Sequence, residues 1–371
     1  MSLSILHVTT ITEWRGGDAQ MYALHHLLER EPDVKQWILC PEGSVLEGKC
    51  RHDGARCVTY RKSRLKLVNA VRAIVGTARA NGIGIVHAHD SSALNACLLA
   101  MRFLPPGTRL VLSRKRNNPI GRSVLSRRKY GSARIARIVC VSNSVQRVFD
   151  GVVDPAKLVT IYDAVDVDAL AARGRPDTLR REFGVPAGVR VVGNLAGCTD
   201  QKDLATFLRA AHAMLERRPA GMALRFFLVG DGPQRSALEA LAAELGISGD
   251  VTFTGYRKDA VDLLAGFDLL MMSSRTEGLP LTVYEAFATG VPVVSTDAGG
   301  IAEVVRDGDS GFVVPVGDAD ALAGRALQVL GDHALAARLR HEGFGIVSRG
   351  HTPGVFRDHY LDLYHSLLRD A

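Results

Sequence analysis

Two glutamates eight positions apart, Glu277 and Glu285, stand in a setting where carboxylates can meet a ligand. Asp268–Met272 reads as a strand, Ser273–Pro280 as a Gly/Pro loop and Leu281–Thr289 as a short helix. Gly290 stops that helix before the next strand, Pro292–Ser295. Glu277 then lies on a loop at the carboxyl end of a strand. Gly278 lets a ligand come close to the backbone, and a helix beginning near Leu281 aims free N–H groups at the same place, which suits an anion. Glu285 sits about a turn into the helix and reaches the ligand further along. Alone, such a pair reads as a solvated loop residue and a helix-dipole partner. The strand, loop and helix around these two favour a binding site.

Lys202 follows Gly193-Asn194-Leu195 and precedes Asp203-Leu204, a cation at a helix start that can face a departing anion. Asp203 is placed there to act as an N-cap. Arg15-Gly16-Gly17-Asp18 follows the first strand and opens the first helix, so Gly16 and Gly17 expose backbone N–H groups to a ligand. It is not a G-x-G-x-x-G, which argues against a dinucleotide oxidoreductase. Ile85–Asp90 ends a buried strand, and alternation points His87 and His89 the same way, at its carboxyl edge. Imidazoles there suit hydrogen bonding or proton relay. A metal held by His87, His89 and Asp90 is the competing reading, set aside because no further ligand cluster is visible. Asp166-Val167-Asp168, Asp307-Gly308-Asp309 and Asp318-Ala319-Asp320 could each hold a divalent cation, but their places at helix starts and in a turn read as caps and turns.

The elements that must position these residues alternate almost throughout. Strands are expected at Ser4–Val8, Gln36–Cys40, Gly84–His89, Arg109–Ser113, Arg137–Val141 and Leu158–Tyr162. In the second half they fall at Arg190–Gly193, Leu224–Val229, Val251–Thr254, Asp268–Met272 and Pro292–Ser295. Amphipathic helices lie between them, and Phe356–Leu368 is a terminal one. This alternation implies parallel sheets covered by helices on both faces, two doubly wound units facing a central cleft, with ligands at the carboxyl ends of the strands. A polar break is expected within Asp166–Pro186. It divides the chain into 1–168, 169–349 and a terminal helix over 350–371 that crosses back to the first domain.

At 371 residues, with 47% hydrophobic and 23% charged, the chain supports two ordinary cores and is not disordered. Six cysteines show no C-x-x-C and read as reduced, buried thiols. No basic leader and no apolar run of about 18 residues is found, so a cytoplasmic protein is expected, one able to sit peripherally on a membrane. The net charge of +7 is unevenly spread: Met101–Phe149 holds twelve Lys/Arg and no Asp/Glu, so the remainder nets −5. Arg114, Lys115 and Arg116 follow an apolar strand and are expected to line an acceptor or anionic-surface site. Arg122, Arg127, Arg128 and Lys129 continue the run. Such a field attracts phosphorylated acceptors and an anionic leaflet; without aromatic interleaving, nucleic acid is not the expected partner.

The stretch Ser273–Ser295 resembles the retaining glycosyltransferases of the glycosyl transferases group 1 family (glycosyltransferase family 4), whose hallmark is a Glu-x7-Glu pair. Phe226–Pro233, Thr252–Tyr256 and Asp297–Val305 are similar to other segments of that family, so the resemblance covers nearly the whole chain. It implies a GT-B fold of two Rossmann-like domains and transfer of a sugar from a nucleoside-diphosphate sugar, a UDP-sugar first, to an acceptor hydroxyl with the anomeric configuration retained. By the same resemblance Glu285 binds the nucleotide ribose and Glu277 the donor sugar. Lys202 meets the diphosphate, and Gly16, Gly17, Tyr256, Gly278 and Leu279 border the donor. His89 contacts the transferring sugar. No metal or other cofactor is implied. The acceptor expected is a lipid-linked or cell-envelope glycan, as in lipopolysaccharide or exopolysaccharide synthesis. One departure stands out: Asn194 occupies the place of an arginine usual in the family and brings no charge to the phosphates. An epimerase, a phosphorylase or a catalytically silent binder of anionic glycans or lipids are the alternatives.

Overall fold

The computed structural model describes residues 2–121, 123–173 and 177–369; Arg122 of the basic run and residues 174–176 of the expected break lie outside them. The chain forms two units, Met1–Asp163 with Pro353–Ala371, and Ala164–Thr352. The border therefore falls at Asp163/Ala164, before the expected break. The physical reason is packing: helix Val167–Arg173 lies against helix Leu281–Ala288 of the second unit, and Asp177–Glu182 against Ala260–Leu264.

In the first unit, β1 (Leu3–Val8), β2 (Val34–Pro41), β3 (Cys57–Tyr60), β4 (Ile85–Ala88), β5 (Arg109–Arg114), β6 (Ile135–Cys140) and β7 (Leu158–Thr160) form a parallel sheet of order β3-β2-β1-β4-β5-β6-β7. Its central strands are aliphatic runs because helices cover both faces; Leu3, Ile5, Leu6, Ile85, Val86, Leu110 and Val111 are fully buried. The terminal helix Pro353–Arg369 belongs to this unit and buries Phe356, Tyr360, Leu363, Tyr364 and Leu367. In the second unit, β8 (Arg190–Leu195), β9 (Leu224–Val229), β10 (Val251–Gly255), β11 (Leu269–Met272), β12 (Val293–Thr296) and β13 (Gly311–Val314) are ordered β10-β9-β8-β11-β12-β13.

Strand order reverses between β1 and β4 in one sheet and between β8 and β11 in the other. Loops leaving the two strands at such a point diverge to opposite faces and leave a crevice at the carboxyl edge. The first crevice is bordered by the loop that leads to Gly16 and by His89; the second by Asn194, Lys202 and Glu277. In the second unit the loop after β9 comes very close to the loop after β8. A Cβ at Gly230 would sit 2.0 Å from the carbonyl oxygen of Ala196, and one at Gly232 would sit 2.6 Å from that of Cys198, at φ of 144° and 159°.

Candidate functional site

In the second unit the loop after β11 is stitched to the loop after β8. Arg275 N–H donates to the Gln201 carbonyl (2.8 Å), Gln201 Nε2 to the Thr276 carbonyl (2.9 Å), and Ser273 Oγ to the Lys202 carbonyl (3.1 Å). These bonds place Lys202 Nζ 2.5 Å from Glu277 Oε1, which also accepts from Ser274 Oγ at 2.7 Å. Glu277 is buried, so each charge is the other's partner, and a ligand entering here meets a preformed cation and carboxylate. Gly278 is buried, Leu279 turns its side chain into the core, and Pro280 precedes helix Leu281–Ala288 without a side-chain cap. Its first N–H groups are thus not spent on a capping side chain.

Glu285 is half-buried one turn into that helix. Burial lifts its carboxyl from 4.5 to about 7, against a smaller downward pull from Arg173. Arg173, which the sequence offers only as part of a break, is delivered by helix Val167–Arg173 and is itself paired with Asp262 at 3.0 Å. Asn194 is buried at the end of β8 and neutral. Tyr256 is 75% exposed just beyond β10.

Asp203 corrects one expectation. It occupies the N-cap position of helix Leu204–Arg217 yet caps no backbone N–H. Its backbone is left-handed (φ 44°), and its carboxylate instead holds Thr206 Oγ1 at 2.9 Å and Arg275 Nε at 3.0 Å. A cap needs extended backbone to turn its oxygen onto the helix, and Asp203 does not have it.

In the first unit, helix Gly16–Leu28 begins without a side-chain cap, and the stem of Lys115 runs 3.6 Å from where a Cβ on Gly17 would stand. Asp90 clamps the crevice. It accepts from Thr10 N (2.7 Å), Thr10 Oγ1 (2.8 Å), Ser92 N (2.9 Å) and Ala93 N (2.8 Å), joining the loop after β1 to the helix after β4. That carboxylate is a clamp and a cap, and the three groups that come together are instead His7, His87 and His89, with nitrogens within 4.8 Å. His87 is a further correction. It does share a side with His89, ring centroids 4.1 Å apart, but it is fully buried, bonded to Tyr364 Oη (2.7 Å) and Ser113 Oγ (2.8 Å).

The triplet Arg114, Lys115 and Arg116 divides. Lys115 pairs with buried Asp163, 48 positions away, and is not a surface charge. Arg114 donates to the carbonyls of Arg116 (2.9 Å) and Asn118 (2.8 Å), bracing its own loop. Arg116 alone is exposed. Of the three Asp-x-Asp strings, each first aspartate accepts a backbone N–H: Asp166 from Ala169, Asp307 from Val313 and Asp318 from Ala321.

Two doubly wound parallel sheets, each with polar groups at its reversal point, define the architecture of the GT-B glycosyltransferases. A glycosyltransferase from Rickettsia africae superposes over 100% of both chains with a TM-score of 0.87 at 19% identity. An Anabaena protein solved with UDP and glucose superposes over 98% of this chain and all of its own, with a TM-score of 0.84 at 19% identity. In sequence, residues 187–332 match the model of the glycosyl transferases group 1, and residues 15–169 that of glycosyltransferase family 4. The chain belongs to this family. A lipopolysaccharide core biosynthesis glycosyltransferase of Rhizobium meliloti (strain 1021) is 34% identical over 184 residues, 50% of this chain and 52% of that one. The N-acetyl-alpha-D-glucosaminyl L-malate synthase of Bacillus anthracis is 29% identical over 248 residues, 65% of this chain and 62% of its own length. The chain thus spans between half and two thirds of the length of these relatives.

Proposed function

We propose that this chain is a retaining glycosyltransferase that moves a sugar from a nucleoside-diphosphate sugar to an acceptor hydroxyl, with a lipid-linked or cell-envelope glycan as acceptor. The observation that carries this reading is the grouping on the second unit: the Lys202–Glu277 pair and a partly buried Glu285 on one loop and helix. Glu285 accepts hydrogen bonds from the ribose hydroxyls, and Glu277 from hydroxyls of the donor sugar. Lys202 and the first N–H groups of the helix after Pro280 meet the charge that grows on the leaving diphosphate, and on the first unit Gly16 and Gly17 offer backbone N–H groups to an anion. Gly278 and Leu279 offer backbone, Tyr256 a ring at the edge and Asn194 an uncharged amide.

The bond from the anomeric carbon to the phosphate oxygen breaks as the acceptor oxygen bonds to the same face, and the departing phosphate takes the hydroxyl proton. No metal and no carboxylate nucleophile enters this scheme. The Anabaena neighbour solved with UDP makes UDP the first nucleotide to try. The exposed arginines of the basic segment hold the protein at an anionic membrane on the cytoplasmic side, where such acceptors lie.

The test is a thermal-shift titration with UDP, GDP, ADP and CMP, without metal and then with Mg²⁺. A nucleotide at 100 times its dissociation constant stabilises by about 2.7 kcal/mol, readily seen as a higher melting point. One diphosphate acting without metal supports the donor site and names its base. No shift from any of them sinks it. Turnover of the matching nucleotide sugar, with the product anomer read by NMR, then decides retention.

A further inference from the structure

We infer that Gln36 and His7 are positioning residues that set the tautomer of His89, turning its Nε2–H inward and leaving Nδ1 as a lone pair for a sugar hydroxyl. The inference deepens the proposed function and rests on its placement of His89 at the donor sugar. It follows from a chain of hydrogen bonds in which every proton can be assigned.

The chain runs across three neighbouring strands. β2 pairs with β1, placing Gln36 beside Ile5, and β1 pairs with β4, placing His7 beside His87. Gln36 and His7 are 4% and 0% exposed, so no water stands between the links. Gln36 Nε2 lies 2.9 Å from the backbone carbonyl of His25, a group that only accepts. That contact forces the amide orientation, and Gln36 Oε1 then faces His7 Nε2 at 3.0 Å as an acceptor. His7 must donate from Nε2.

Burial, with the neighbouring His25, takes the pKa of His7 to about 3, so the ring carries one proton and Nδ1 is a lone pair. His7 Nδ1 is 3.0 Å from His89 Nε2, which must therefore be the donor. His89 is held well below its ordinary range, first by burial and then by His87, His7 and Lys115, so it has no second proton. Its Nδ1 is bare. Among the described residues that atom has no hydrogen-bond partner, and it is not one of the nitrogens sealed away unpaired, as both of His25 are.

The same bonds argue against reading the three imidazoles as a metal centre. Both nitrogens of His87 and both of His7 are hydrogen-bonded to side chains. A sugar hydroxyl donating to His89 Nδ1 is fixed in direction, which a freely exchanging tautomer would not achieve.

The experiment uses the full chain labelled with ¹⁵N at histidine, where two-bond ¹⁵N–¹H correlations report which ring nitrogen holds the proton. No ligand is needed. His89 is expected to show a protonated Nε2 and a bare Nδ1. In Gln36→Met the acceptor for His7 is gone, and His89 should become a mixture of tautomers. His7→Phe should do the same, whereas His7→Asn, which can offer an amide oxygen to His89, should restore the single form. Turnover of UDP-glucose, or of the sugar of whichever base the titration names, should fall about five- to tenfold in kcat for Gln36→Met and His7→Phe. KM should stay within twofold, and His7→Asn should recover most of the loss. A proton on His89 Nδ1 in the unmodified chain, one unchanged tautomer in all variants, or a stoichiometric metal lost on His7→Phe would each overturn the inference. Failure of the transferase reading looks different: no nucleotide sugar turns over, yet the spectra follow the expected pattern.

Discussion

Glu285 and Glu277 are both carboxylates at one crevice, but their surroundings differ. Glu277 is matched by Lys202, while Glu285 is lifted to about 7 by burial, with only Arg173 opposing. A raised folded pKa means that the fold holds this proton where the unfolded chain has lost it. The contribution to stability is present below 4.5 and is lost as pH rises through about 7. Under the proposed function, ribose binding at Glu285 runs the other way, because the ionised carboxylate is the better acceptor. Affinity for the nucleotide should therefore rise about tenfold from pH 6 to pH 8 and then level off, as titration calorimetry would show. Glu285→Gln should bind about tenfold more weakly at pH 8 and lose most of that pH dependence; a variant that kept it would place the titrating group elsewhere. That Lys202 and Glu277 stand together was legible in the sequence, because both lie on loops that leave the ends of strands, and Glu285 was legible as a residue of the helix that follows. Lys115 was misread, since its burial depends on Asp163, far along the chain. His7 and Gln36 gave no signal at all, because strand register makes them neighbours.

At the scale of elements, the aliphatic runs of the central strands identify themselves, while their order in each sheet is seen only in the pairing. Two of the edge strands do not identify themselves: β3 and β13 have four residues each, and neither was anticipated, whereas the edge strand β7 was. Helix His333–Gly350 was also missed, because its glycines and polar residues blur the period. Asp203 shows what local reading cannot see, a left-handed residue at a helix start held by Arg275 and Thr206. Asp203→Gly loses those contacts but relieves the strain, and its stability should lie within about 1 kcal/mol of the parent. Asp203→Ala keeps the strain and loses the contacts, so it should fall about 1 kcal/mol below the glycine variant in urea unfolding. The terminal helix offers a second contrast. Tyr364→Phe strands buried His87 Nδ1 and should cost about 1–3 kcal/mol, whereas Tyr364→Ala also opens a cavity and should cost about 3–5 kcal/mol. A Tyr364→Phe chain as stable as the parent would mean that the hydroxyl contact contributes nothing, and equal losses in the two variants that the ring contributes nothing beyond it.

Over the whole molecule, charge is segregated more sharply than the net value of +7 suggests, and the structure separates working charges from structural ones. Lys115 is neutralised by Asp163, Arg114 braces its loop, Arg109 Nε bonds the Leu367 carbonyl and Lys129 holds Ser91. Arg102, Arg116, Arg127, Arg128, Arg134 and Arg147 are exposed. Beside Arg127 and Arg128, Val124 and Leu125 stand 69% and 78% exposed on the same helix, Val124–Tyr130, an apolar step next to a basic one. Among the described residues no helix is long and apolar enough to cross a membrane. Vesicles containing anionic lipid should retain the chain, and zwitterionic vesicles should not. Each exposed arginine contributes about 1 kcal/mol near such a surface, so Arg127→Ala with Arg128→Ala should weaken retention about thirtyfold. Salt at about 0.5 M should release the parent, because screening then acts within a few ångströms. Leu125→Ser, which leaves the charge unchanged, should weaken binding at low salt without changing its salt dependence, which separates the apolar contact from the field. Equal retention on both kinds of vesicle would remove the electrostatic argument and leave the arginines as a solvated face.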